Sequence, residues 1–225
     1  MLHFFRRDKP NSLSPSLARK ARSIELLKAR NVPFIEHLPH IDDESAIKPR
    51  SSEEVLRRAR GCLIYFMRGQ FAMDNVPLAD FRDKMAELQS WNDLTPAERV
   101  VAEAETLTQQ QIVDTSWALE SINVLAWTLG IVSALDWPDK LCDLPTVVNK
   151  IRHTRDSTGL KLIGLTEILD QTDLHYRLHW TCRDRSLRGQ EPPCKLLHSV
   201  ILARRQALEW VTDSEADWDN PELST

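Results

Sequence analysis

The chain has 225 residues, of which 42% are hydrophobic and 28% charged, with a formal net charge of −4. That length can bury one core, and the balance is that of a globular domain; it excludes a disordered or fibrous chain and leaves no electrostatic case for nucleic acid, which calls for a strongly basic face. Six glycines, well under half the usual ~7%, favour helices over turn-rich sheet.

Residues 1–14 carry Arg6, Arg7 and Lys9 with little periodicity and read as a loose basic N-terminus. Ser14-Pro15 opens a first helix that runs to about Arg30, where Asn31-Val32-Pro33 stops it. The stretch from Pro33 to Pro49 reads as an extended linker. Ser51 with Glu54 is a capping box for a helix to about Arg68, and a further helix is expected near 77–89. Thr95-Pro96-Ala97-Glu98 sets a cap, a proline in the first turn and a returning Glu for a short fourth helix. Thr108 with Gln111 opens the most apolar helix, about 108–129, ended by Gly130. Asp143-Leu144-Pro145 opens one to about His153, and the last two run from about Thr166 to Arg188 and from His198 to Thr212. Residues 213–225 form an acidic tail whose order is expected to stop at an anchor, Trp218-Asp219. With no strand alternation, the expectation is an all-α, single-domain bundle of about eight helices over 15–212, around the 108–129 helix.

Charges that interrupt apolar stripes are the informative residues. On a 100° wheel Glu120 falls at about 80°, among Val113, Trp117, Val124 and Trp127. A carboxylate there is paired, protonated in a pocket, or exposed at a helix edge. Arg204 sits similarly among Ala207, Leu208 and Val211, either seeking a carboxylate or lying at the rim with its head in water. In the penultimate helix Asp170, Asp173, Arg177, Asp184 and Arg188 gather on one side, read as facing solvent or another polar surface. His175, His179 and Cys182 lie in the apolar arc at i, i+4, i+7 spacing. They read as core histidines rather than a metal site, because no carboxylate lies inside that arc and a zinc would need a further ligand from another helix.

No Gly-x-Ser-x-Gly elbow, Walker loop or Gly-x-Gly-x-x-Gly turn is present, so no cofactor is expected. The four cysteines form no Cys-x-x-Cys pair and read as reduced thiols of a cytoplasmic protein. No window holds the ~18 uninterrupted apolar residues of a membrane span.

Several short motifs occur in a consistent order: His37-Leu38-Pro39, Ser116-Trp117 with Glu120, Leu135-Asp136-Trp137-Pro138, Asp173 through Trp180, Gln190-Glu191-Pro192-Pro193, Arg204 with Trp210, and Trp218-Asp219. In these the chain resembles the bacterial domain-of-unknown-function family numbered 4272, over roughly residues 19–219. The resemblance implies no activity, but the Trp-x-x-Glu motif and the late Arg are among its recurring positions. Two departures stand out: the final residues do not end in further acids and Asp-Thr, and His175 is often an aromatic in that family.

The sequence therefore supports a non-enzymatic domain that binds a protein partner or small ligand. The alternative is an enzyme using Glu120 as general acid or base beside His179, with Arg204 or Arg177 holding an anionic substrate. Candidate binding residues are Arg204, Arg177, Trp117 and Trp180, with no metal, nucleic acid or membrane as partner.

Overall fold

The computed structural model describes residues 13–154 and 156–224. Of the basic N-terminus, residues 1–12 lie outside the described residues. Eight helices follow the start signals closely: α1 (Pro15–Ala29), α2 (Ser52–Met73), α3 (Leu78–Ala86), α4 (Pro96–Glu103), α5 (Gln109–Thr128), α6 (Leu144–His153), α7 (Leu165–Leu187) and α8 (His198–Thr212). Among the described residues there is no strand, only one parallel bridge between Lys48 and Asp213.

The capping chemistry explains why the starts were legible. In α2, α4 and α5 the N-cap hydroxyl accepts from the backbone N–H three residues on, while that residue's Glu or Gln accepts from the cap's own N–H, so two orphan donors are satisfied at once. Helix α5 ends in a Schellman motif. Ile131 N–H donates to Ala126 O at 2.9 Å and Gly130 N–H to Trp127 O at 2.8 Å, which requires the left-handed φ of 68° that Gly130 adopts without a Cβ penalty.

Helices α2 and α5 form the central pair, with α8 packed on α5 and α7. Their approach depends on Gly69: a Cβ there would lie 1.8 Å from Thr115 Oγ1. The main core joins Val55, Leu63 and Phe66 of α2 to Ile122, Leu125 and Trp127 of α5 and Leu208 and Val211 of α8. Helix α5 is buried continuously from Leu119 to its end, as its composition predicts for a central helix. A second cluster joins Leu27, Leu178 and Ile201 across α1, α7 and α8, and a third seats Phe81 and Met85 of α3 near Ile64 of α2.

The long connections hold their shape because cationic side chains donate to their main-chain carbonyls. Lys20 holds Leu38 O, Arg177 holds Pro39 O and Arg19 holds Asp42 O, all in the 33–49 linker. Arg68 holds Ala104 O, Arg204 holds Asp136 O and Arg50 holds Ala216 O, while Arg50 Nε also donates to Trp210 O in the last turn of α8. Part-buried carbonyls need partners, and with no strand among the described residues these arginines and Lys20 supply them. The linker itself is extended in part but contains a 3-10 turn at Glu44–Ala46.

The C-terminal segment is ordered further than its composition suggests. Trp218 packs edge-on against Trp210, with ring centroids 5.4 Å apart, and Arg58 stacks on its ring. Asp219 accepts from Thr95 Oγ1 at 2.6 Å and from Ala97 N–H at 3.1 Å, adding a carboxylate to the N-terminus of α4. This is the expected anchor. Order does not stop there, because Arg205 donates to Leu223 O at 3.3 Å and Ser224 O at 3.0 Å. The acids limited the apolar area available, but carbonyls held by a buried cation do not need that area. Deleting residues 220–225 should therefore cost about 1.5 kcal/mol, roughly 3–6 °C in thermal midpoint, since hydrogen bonds to a charged group are lost. A calorimetric midpoint within 1 °C of the full chain would mean that water replaces these bonds without loss.

Candidate functional site

Glu120 of α5 and Arg204 of α8 meet as the wheel projections anticipate. Arg204 Nε donates to Glu120 Oε2 at 2.8 Å, and the two side chains are 0% and 1% exposed. Glu120 Oε1 accepts from Cys142 N–H at 2.7 Å. Both carboxylate oxygens and two of the three guanidinium nitrogens are thus engaged, while Arg204 Nη2 has no hydrogen-bond partner. The Cys142 thiol is pushed well above its ordinary value, first by burial and then by the Glu120 carboxylate beside it.

The other candidates do not join this pair. Arg177 forms a two-pronged bond with Asp173 one turn earlier on α7, Nε to Oδ2 and Nη2 to Oδ1, each at 2.8 Å. Arg188 on the same side is 65% exposed, but these side chains are 1% and 0% exposed, so here the helix side meets another polar surface, the second of its two expected surroundings. The linker covers it, with Arg177 also reaching Pro39 O and Thr181 Oγ1 reaching Pro33 O. The side does face a polar surface, one made of carbonyls.

His179 pairs with Arg205 rather than with Glu120. Arg205 Nη1 donates to His179 Nδ1, and because a guanidinium can only donate, the imidazole must be neutral with its proton on Nε2. Burial pushes its pKa down to about 4, assisted by Arg205 and by His198, whose ring lies 5.4 Å away. His175 hydrogen-bonds the Gln171 carbonyl through Nδ1, leaves Nε2 without a partner, and is pushed down to about 3 by burial and then by Arg204. Among the described residues no group of three or more His, Cys, Asp or Glu is arranged to hold a metal ion. Trp180 is half-buried on α7.

Two clefts open beneath the C-terminal segment, and neither is lined by Glu120, His179, Arg177, Arg204 or Trp180. The larger, about 840 Å³, lies between linker residues 40–48, helices α7 and α8, and the segment that follows α8. Its walls carry Asp42, Glu209, Asp213, Glu215, Asp217 and Glu222 against a single lysine, Lys48. Ile41, Ile47, Leu169, Trp210 and Leu223 supply apolar surface. The smaller, about 370 Å³, is enclosed by α2, α4, α5, α8 and the same segment, and includes Trp117. Sequence reasoning marked Trp117 and the Trp218-Asp219 anchor. It missed the two clefts, because their walls come from four and five elements of the chain respectively and no single stretch carries a motif.

No helix among the described residues is long and apolar enough to cross a membrane. Residues 19–221 match a family model described as Domain of unknown function (DUF4272). No curated protein and no solved structure matches the chain.

Proposed function

We propose, from the premise that this chain belongs to the DUF4272 family, a domain of unknown function, that it is a non-enzymatic binding domain whose larger groove takes a basic, extended segment of a protein partner. The observation that carries this reading is the concentration of charge. Of the six carboxylates on its walls Glu209 is paired with Arg205, and the other five against one lysine leave an excess of four negative charges, as large as the net −4 of the whole chain. A cleft lined by one sign of charge focuses its field and raises the local concentration of opposite charge. Apolar surface beneath acidic walls suits alternating basic and apolar side chains, the pattern an extended peptide presents.

The enzymatic reading loses its support in the arrangement of its residues. Glu120 and Arg204 engage one another in a closed pair, His179 is committed to Arg205, and Arg177 to Asp173. Both arginines are buried and already neutralised by a carboxylate, so neither presents a free charge to an anionic substrate.

A heptapeptide of alternating lysine and leucine, titrated by fluorescence anisotropy, tests the proposal. It should bind, weaken steeply with added salt, and weaken at least tenfold in the Glu215→Lys/Glu222→Lys variant, whose altered residues are exposed. Equal binding of the glutamate–leucine counterpart, or affinity that survives the charge reversal, would overturn the assignment.

A further inference from the structure

We infer that the smaller cleft is a binding site for a small organic cation carrying an alkylated ammonium group. Three aromatic side chains, Tyr65 of α2, Trp117 of α5 and Trp218 of the C-terminal segment, line a cavity of about 370 Å³ together with the carboxylates of Glu98, Asp114 and Asp219. Aromatic faces attract a cation through their quadrupole, and they favour an alkylated ammonium because its methyl groups also gain from burial against the rings.

The chain already uses this pairing for a cation of its own. Arg58 stacks on Trp218, its guanidinium carbon 4.9 Å from the ring centroid, and forms an ion pair with Glu98. Arg58 is not part of the cleft lining. Glu98 is neutralised by it, but among the described residues the other two carboxylates accept from uncharged donors alone. Asp114 takes the amide of Gln110 at 2.7 Å, and Asp219 takes the Thr95 hydroxyl and Ala97 N–H. Two negative charges therefore line the cavity with no cationic side chain among the described residues of its walls. The Tyr65 phenol is pushed up to about 12, first by burial and then by the neighbouring acidic groups, Asp114 foremost and Asp219 among them, so it stays protonated and adds an apolar face with a polar tip.

A bare metal ion would gain little from three aromatic walls, and an anion would meet repulsion from Asp114 and Asp219. An inward-facing thiol, Cys62, is also pushed up to about 12 by burial and is not available as a nucleophile or soft metal ligand near neutral pH.

This site shares Gln206 and Pro221 with the basic-peptide groove but none of the groove's carboxylates, and the inference does not rest on the peptide reading. Calorimetric titration with choline chloride, against 3,3-dimethylbutan-1-ol as a neutral molecule of the same shape, separates charge from hydrophobic fit. Choline should bind saturably and at least tenfold more tightly than the alcohol. Trp117→Leu and Asp114→Asn should each weaken choline at least fivefold; Asp114 is exposed, so its variant keeps the fold even if the tryptophan variant does not. The Glu215→Lys/Glu222→Lys variant should bind choline within threefold of the unaltered chain, whatever it does to the peptide. Equal affinity for the alcohol, or choline binding untouched in Asp114→Asn with the fold intact, would overturn the inference.

Discussion

Replacing Glu120 with alanine should lower stability by about 3–5 kcal/mol, because it leaves a cation with no counter-charge in the middle of the α5/α8 contact. Arg204 is 0% exposed, cannot shed its proton, and already has one nitrogen without a partner. The same change also strips the acceptor from Cys142 N–H. Urea denaturation measures the loss, and a shift under about 1 kcal/mol would mean that water reaches the guanidinium. Removing both charges, as Glu120→Leu with Arg204→Met, should be less costly than the single substitution, since an apolar pair of similar volume carries no desolvation penalty. The recovery should be incomplete, because Asp136 O and Cys142 N–H lose their partners in either case. If the double variant proves worse than Glu120→Ala, the buried pair is contributing attraction beyond its own desolvation.

Stability should also fall steeply as pH drops from about 6.5 toward 4, before most carboxylates begin to titrate. His175 and His179 are neutral in the fold, with pKa values pushed down to about 3 and about 4, whereas in the unfolded chain each binds a proton near its ordinary 6.5. Between those values the unfolded state holds more protons, so each histidine removes about 1.4 kcal/mol per pH unit. Stability is complete above the unfolded pKa and declines as pH falls through the window down to the folded pKa. At pH 4.5 each should have removed roughly 2–3 kcal/mol. His198, pushed down by burial, acts in the same direction. His175→Leu isolates the effect: it removes an imidazole whose Nε2 has no partner, so it should leave stability at pH 7.5 within about 1 kcal/mol and flatten the slope below pH 6.5. An unchanged slope would mean that His175 is hydrated in the native state. For His179 burial is the first cause and the Arg205 contact adds to it, because a protonated imidazole would set one N–H against another.

Local chemistry made the helices legible. Three capping boxes, a proline in the first turn of α1, α4 and α6, and the glycine after α5 each act within four or five residues, so their effect does not depend on the rest of the fold. The Glu120–Arg204 pair was also foreseeable, although its members lie 84 positions apart. Each charge interrupts an apolar stripe on its own helix, and two unlike charges forced into one core have strong reason to meet.

Other burials were invisible for the complementary reason. Asp173 and Arg177 sit on a helix side that composition marks as polar, and only the linker laid across it, through Pro39 O at 3.0 Å, takes them out of water. Arg19, Arg58 and Arg68 are buried in the same way, against loop carbonyls or a carboxylate brought from another element. The clefts lie at the far end of this scale. Their carboxylates come from stretches as distant as Asp42 and Glu222, or Glu98 and Asp219, and none is marked by its own stretch as lining a cleft. Periodicity records which face of a helix avoids water; whether a polar face is covered, and whether scattered charges converge, depends on the path of the chain between helices, which only the tertiary structure decides.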